Sequence, residues 1–351
     1  SFRLGMLIYD TRYRSYTIQI FALLLLMLVA AWLVDNTVRN LAALGKDFSF
    51  NFLWSTSGYD ISQRPIAYDS TYTHTRAAVV GLLNTLILAI MSCVAATVLG
   101  VIAGVLRLSN NWVVGRLMTV YIETFRNVPV LIWIIVVSAI MSESMPAPSA
   151  FRGEDATASM LLFDSIAITN RGVYVPSPLF DNSLGSYDLG TLTLSLDYVL
   201  ILLVIGVSIW VNQRITASAT RIQEATGVRP VTWWKSLAVL FAPLIALLMF
   251  LGFHLEYPEL RGFNFAGGIQ MRNSLISMWI GLSIYSAAFI AENVRAGIMA
   301  ISKGQTEAAF ALGLQPGKTM RLVILPQALR VIIPPLISQY LNITKNTSLG
   351  L

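Results

Sequence analysis

Hydrophobic residues run along this chain in blocks too long for the core of a water-soluble domain. A helix that crosses a bilayer needs about 20 predominantly apolar residues. Seven stretches meet or approach that length: Tyr16–Val34, Val79–Leu106, Leu117–Met141, Leu192–Trp210, Thr232–Phe253, Ser274–Glu292, and a shorter seventh from Pro326 to about Lys345 that Pro334 and Pro335 interrupt. The first is long and exits on Asp35-Asn36, which suits a retained span better than a cleaved signal. Asp197 near the start of the fourth weakens it. Two polar stretches, 35–78 and 142–197, are rich in Ser, Thr, Tyr, Asp and Pro. They read as ordered loops or interfacial helices, with a short strand near 190–194. The chain starts without Met and stops at Ser348-Leu-Gly-Leu351, which reads like the start of another apolar segment. The expectation is a chain trimmed at both ends, with an eighth span to follow.

Composition agrees with a membrane bundle. Of 351 residues, 56% are hydrophobic and 12% charged, against about 45–50% and about 25% in soluble domains. That excludes an ordinary soluble enzyme and a disordered segment. The net charge of +6 is unevenly distributed. With a cytoplasmic N-terminus, segments 1–15, 107–127, 212–235 and 292–330 fall on the cytoplasmic side and hold 15 basic and 5 acidic residues. The opposite segments, 35–78, 142–197 and 253–273, hold 8 basic and 13 acidic. This is the positive-inside bias, and it removes the case for nucleic-acid binding. Cys93 is a single cysteine, and His74 and His254 are far apart. No metal-ligand cluster, zinc-binding HExxH string or catalytic His/Cys/Asp grouping is present, so enzyme chemistry is not expected.

The most informative segment follows the sixth span. It reads Glu307-Ala-Ala-Phe-Ala-Leu-Gly313, then nine residues, then Val323-Ile-Leu-Pro326. Residues 307–312 favour helix, with Ala308, Ala309 and Ala311 suited to close packing. Gly313 supplies a helix stop, and Gln315-Pro316-Gly317-Lys318 turns the chain. A second short helix over Thr319–Leu325 is expected, with Pro326 opening the next span. Gly313 to Lys318-Thr319 imitates a phosphate-binding loop. Three residues separate its glycines where four are needed, Pro316 is among them, and a helix precedes instead of a strand. ATP binding by this chain is not expected.

Segment 307–326 resembles the EAA loop of binding-protein-dependent ABC importer permeases, with Val323 where that family usually has isoleucine. Other runs fit the same family: Asn84-Thr-Leu-Ile-Leu-Ala89, Tyr121-Ile-Glu-Thr-Phe-Arg-Asn-Val-Pro-Val130, Ala291-Glu-Asn-Val-Arg-Ala-Gly297, Leu325-Pro-Gln-Ala-Leu-Arg330 and Asn346-Thr-Ser-Leu349. The chain is similar to the polar amino-acid uptake subfamily over 79–141 and 274–349, with 142–273 largely outside the match. The extra first span and long outer loop resemble the Q-type subunit of general L-amino-acid permeases (Aap/Bzt type).

The resemblance implies an all-α transmembrane bundle of the type I importer permease kind. It implies an N-terminal span and outer loop in 1–78 and a permease domain in 79–351, with an outer insertion at 142–197 and a coupling loop at 304–326. Glu307, Ala308, Ala309, Gly313 and Pro326 would couple to a separate ATPase. Two such ATPase subunits would carry ATP and Mg, so this chain needs no cofactor. A second, M-type permease and a periplasmic amino-acid-binding protein would complete the complex in a bacterial inner membrane, with this N-terminus cytoplasmic. Substrates would be amino acids, broad in range.

Two charged pairs, Glu123 with Arg126 and Glu292 with Arg295, are spaced i, i+3 and can meet on one helix face. They read as a gate or latch. Polar residues in the last span read as a translocation pathway: Gln339, Asn342, Thr344, Lys345, Asn346, Thr347 and Ser348, with Asn84 and Asn273 contributing from other spans. Polar groups and broken helices at bilayer depth are tolerated against protein or a water-filled cavity. Gly100 and Gly104 form a small-xxx-small pattern of the kind that packs helices within one subunit. An ion-coupled transporter, or a membrane sensor or scaffold, are the competing readings. Neither accounts for residues 307–326.

Overall fold

A computed structural model describes residues 10–46, 49–153 and 156–349. Most of the basic N-terminal segment 1–15, two acids of the 142–197 stretch (154–155) and the end from 350 lie outside the described residues. Residues up to Thr56 and residues from Ser57 onward form two compact units. In the first, helix α1 (Thr11–Ala43) extends the expected first span at both ends, and Asp35 pairs with Arg39 at 2.9 Å near its C-terminal end.

The second unit holds the bundle. Helix α2 (His74–Arg107) starts where the Thr73 hydroxyl accepts from the Arg76 backbone N–H. Helices α3 (Trp112–Asn127) and α4 (Val130–Glu143) follow, then α5 (Leu196–Thr226), α6 (Trp233–Phe250) and α7 (Asn273–Met299). The bundle is built around α7. It packs along α2 for most of its length and also touches α3 and α4, while α5 and α6 pack mainly on each other. The α2–α7 seam is close because its crossing points carry glycine. A Cβ at Gly104 would stand 2.6 Å from the Ala291 carbonyl oxygen, and one at Gly100 would stand 2.7 Å from Ile290.

The expected third span is not one straight helix. The chain bends by 107° between α3 and α4. Pro129 has no N–H to continue the α3 ladder and forces Val128 into an extended conformation (φ −111°, ψ 134°). The proline therefore divides the apolar run at a full corner.

The region after α7 also differs from expectation. Helix α8 (Lys303–Ala311) is followed by α9 (Pro316–Thr319), a π-helical turn over Met320–Ile324, and α10 (Leu325–Asn346). From Pro316 to Asn346 these run on as one apolar helical stretch, so Thr319–Leu325 is not a separate second helix. The π turn widens the backbone immediately ahead of Pro326, whose ring would otherwise meet the carbonyl of Leu322. Pro334 and Pro335 lie inside α10 without interrupting it. Ile332 and Ile343, packed with Ile290 and Val294 of α7, hold the helix on both sides of the two prolines. Thr347–Leu349 closes it as a 3-10 turn.

Of the two polar stretches, 142–197 folds as small sheets and not as interfacial helices, whereas the described residues of 35–78 between α1 and α2 form the expected loop, with a 3-10 turn over Asn51–Trp54. Strands β1 (Ala167–Thr169), β2 (Gly172–Val175), β3 (Ser177–Phe180), β4 (Ser186–Asp188) and β5 (Thr193–Ser195) come from the 142–197 stretch. Strands β6 (Phe253–Glu256), β7 (Glu259–Arg261), β8 (Asn264–Ala266) and β9 (Ile269–Arg272) follow α6. All pairings are antiparallel: β1–β2–β9, β3–β6, β4–β5 and β7–β8. The expected strand near 190–194 is β5. Arg76, only 1% exposed, clips this cap to α2. It donates from Nε to the Ala67 carbonyl at 2.9 Å and from Nη2 to the Thr193 hydroxyl at 2.8 Å. Buried Asp197 anchors the same region, accepting from the Ser183 hydroxyl (2.5 Å) and the Leu184 N–H (2.8 Å).

Candidate coupling, latch and pathway sites

The helical hairpin after α7 is shaped by Gly313. Its φ of +75° is the left-handed conformation that favours glycine. There Gly313 donates to Phe310 O (2.9 Å) and Leu314 donates to Ala309 O (3.1 Å), the paired bonds of a Schellman stop. Of the three alanines expected to pack closely, Ala309 is buried whereas Ala308 and Ala311 are exposed. Glu307 is exposed as well, beside Phe310 and Leu312, which are 47% and 82% exposed. The hairpin is thus held through Ala309 and through the Gln327 side chain, which donates to Val323 O at 3.0 Å and to the Gln305 side chain at 3.5 Å. Its outer surface carries one acid, two lysines (Lys303 and Lys318) and several apolar groups.

At the same end of the bundle, four charges from three helices meet. Glu292 and Arg295 pair at 2.6 Å, as their spacing suggested. Glu123 does not pair with Arg126. It accepts from Arg107 at 3.5 Å, and Arg107 also pairs closely with Glu292. The Arg126 guanidinium instead lies 5.4 Å over the ring of Phe289. The physical reason is reach. Arg107, in the last turn of α2, points between α3 and α7 and satisfies both carboxylates at once, which a local i, i+3 bond on α3 could not do. Arg107 stood in the sequence only as one of the basic residues of its side. Its Glu292 partner is 185 positions away, so no local spacing pointed to it.

The expected pathway residues divide into two groups. Along α10, Gln339 and Asn346 are half-buried, Asn342, Thr344, Lys345 and Ser348 are exposed, and Thr347 is buried. The helix is regular as far as Asn346. The side of α10 away from buried Ala328, Ile332 and Ile343 is mixed, with exposed Ile333, Ile337 and Leu341 beside the exposed polar groups. Tyr340 ties it to α2, its hydroxyl 2.7 Å from that of Thr97. The two remaining residues lie on α2 and at the start of α7, towards the end of the bundle opposite α8, which the last turns of α10 also approach. Asn84, 2% exposed, donates to the Gln63 carbonyl at 2.8 Å. Asn273 opens α7 and donates to the Ser142 hydroxyl at 2.9 Å, while its own side-chain oxygen is buried without a partner. The geometry therefore gathers Gln339–Ser348 along α10 and its closing turn, and ties Asn84 to the 62–65 turn and Asn273 to Ser142 and the Asn170 carbonyl.

Residues 230–351 match the family described as binding-protein-dependent transport system inner membrane component. The chain is 57% identical over 359 residues to the glutamate/glutamine/aspartate/asparagine transport system permease protein BztB of Rhodobacter capsulatus, covering 100% of this chain and 84% of that protein. It is 38% identical to the general L-amino acid transport system permease protein AapQ of Rhizobium johnstonii, covering 100% and 82%. A shorter match, 38% identical over 107 residues, covers 30% of this chain and 23% of BztC, a permease of the same named system of Rhodobacter capsulatus. The two long matches run through 142–273, the stretch that the motif resemblance left outside. The bundle is that of type I importer permeases, and the chain is a multi-pass transport subunit. It belongs to the binding-protein-dependent permeases of amino-acid ABC transporters, and among them to the Aap/Bzt type.

Proposed function

We propose that this chain forms one half of the translocation unit of an importer for a broad range of L-amino acids, including those with acidic and amide side chains. The names of the BztB and AapQ relatives support that range, and the partial likeness to BztC supports a second, distinct permease as its partner. In this reading α8, α9 and the end of the bundle that carries them face the cytoplasm, as does the N-terminus. The 15 basic residues against 5 acidic on that side support this orientation in an inner membrane. A periplasmic binding protein delivers the substrate to the β cap, and two ATPase subunits hold ATP and Mg. Residues 1–78 supply an added span and loop, and 79–351 supply the permease domain.

The observation that carries the proposal is the exposed side of the α8–α9 hairpin. Glu307, Ala308, Phe310 and Leu312 face away from their own chain, while Ala309 and the Gly313 stop fix their positions. Such a rigid projection fits a groove on an ATPase, with Glu307 meeting a donor or cation there, and Pro326 passes the movement into α10. The Arg107-centred cluster, with Glu123, Glu292, Arg295 and nearby Arg126, latches the cytoplasmic ends of α2, α3 and α7. The polar residues of α10 and its closing turn, from Gln339 to Ser348, line the path, because polar groups on a spanning helix favour protein or water over lipid.

The test is copurification. With the partner permease and ATPase coexpressed, Glu307→Lys should lose most of the ATPase while the two permeases stay together. Glu307→Gln, which keeps the shape and removes the charge, should lose less. Full recovery of ATPase with the lysine variant would overturn the coupling role.

A further inference from the structure

A cavity of about 600 Å³ lies at the end of the bundle opposite α8. The turn at Gln63-Arg64-Pro65 and strand β9 form its mouth, and Ile87 and Met91 of α2 with Leu275 of α7 form its back wall. Arg64 and Arg272 both line it, and no acidic side chain does. The two cations are not equivalent. Arg64 donates to Tyr68 O at 2.9 Å and also faces Asp69. That carboxyl is held below its usual range by hydrogen bonds from the Thr71 hydroxyl and backbone N–H, aided by the charges of Arg64 and Arg76. Arg272 uses its backbone N–H to hold the Gln63 side chain at 2.9 Å. Its guanidinium has no hydrogen-bond or ion-pair partner among the described residues.

The cavity wall is rigid. Gln63 is held at three points: its side chain donates to Gln270 O (3.3 Å), its side-chain oxygen accepts from Arg272 N–H, and its carbonyl accepts from buried Asn84. The loop, β9 and α2 are therefore locked together around the opening. Volumes of about 300–1,000 Å³ are those of small-molecule sites. A planar guanidinium matches a carboxylate in a two-point geometry. A neutral amino acid arrives as a zwitterion with no net charge, whereas an acidic one carries an extra carboxylate.

We infer that this cavity is a receiving site for the side-chain carboxylate of acidic amino acids, with Arg272 as its principal cation and Arg64 as its second. The inference rests on the amino-acid import proposed above and adds a point of selection within this chain. Residues of the cap, the 62–65 turn, α2 and α7 form the site together.

The test uses the complete transporter, with partner permease, ATPases and binding protein, reconstituted in vesicles. Initial rates of labelled glutamate and glutamine uptake are measured at saturating loaded binding protein. Arg272→Gln should lower the glutamate-to-glutamine ratio about fivefold, the value of one ion pair in water-like surroundings, and leave glutamine uptake unchanged. Arg272→Lys should keep the wild-type ratio, and Arg64→Gln should lower it less than Arg272→Gln. An unchanged ratio, or an equal fall in both rates, overturns the site. A fall that occurs with phosphatidylglycerol present and vanishes in pure phosphatidylcholine assigns Arg272 to an anionic lipid headgroup and also overturns it. If the wild-type transporter carries neither amino acid, the import reading itself fails and the carboxylate site falls with it.

Discussion

Alanine at Arg107 will destabilise the purified transporter far more than alanine at Arg126 and will abolish most transport. Arg107 joins the last turn of α2 to Glu123 of α3 and Glu292 of α7. Without it Glu292 keeps only Arg295, and Glu123 loses its ion-pair partner. Removing one member of a fully buried pair costs about 3–5 kcal/mol. The Arg107 and Glu292 side chains are 16% and 23% exposed, so about 3 kcal/mol or somewhat less is the appropriate scale. Arg126→Ala removes a stacking contact on Phe289 worth about 0.5–1 kcal/mol. Thermal unfolding of the two variants in the same detergent separates these effects. Arg107→Ala should also cost much less in a Glu292→Ala background, since the two residues act on one interaction. Equal losses from Arg107→Ala and Arg126→Ala would show that the latch does not centre on Arg107.

Leucine at Gly104 will prevent the bundle from assembling, while alanine at Gly81 will leave it intact. The two glycines share one helix but have opposite surroundings. A Cβ at Gly81 meets nothing within 4 Å, whereas one at Gly104 meets the Ala291 carbonyl at 2.6 Å and Val294 at 3.0 Å. Glycine-to-alanine replacement within a helix gains about 1 kcal/mol from propensity alone, so Gly81→Ala should be neutral or mildly stabilising. At Gly104 even a methyl must push against backbone, and overpacking of that kind costs about 1–3 kcal/mol. The larger leucine should exceed that range, because α2 against α7 is the main seam of the unit. Size-exclusion chromatography of the tagged chain reads the outcome. A monodisperse Gly104→Leu variant at wild-type yield would refute the close packing.

What could be read in advance follows from how far apart the interacting residues lie. Spans, the Gly313 stop, the corner at Pro129 and the Glu292–Arg295 pair rest on residues within a few positions of one another, and each left a local pattern. Gly100 and Gly104 announced a tight crossing but not its partner. The β cap escaped detection because its strands are three or four residues long and their partners distant, as with Val173 opposite Met271. Arg107 was hidden for the same reason. The run from Pro316 to Asn346 was misjudged because proline was weighed by its intrinsic preference. Packing of Ile332 and Ile343 on α7, together with the π turn ahead of Pro326, outweighs it.

That uninterrupted run has a mechanical consequence. At 1.5 Å per residue, 31 residues make a strut about 45 Å long. One end is the hairpin that carries Glu307, and the other holds Lys345 and Asn346. A tilt of about 10° at the base sweeps the far tip through about 8 Å, by the geometry of a rod of that length. Nucleotide-driven movement against the hairpin would then reach the polar residues as leverage, with no relay of side-chain rearrangements in between.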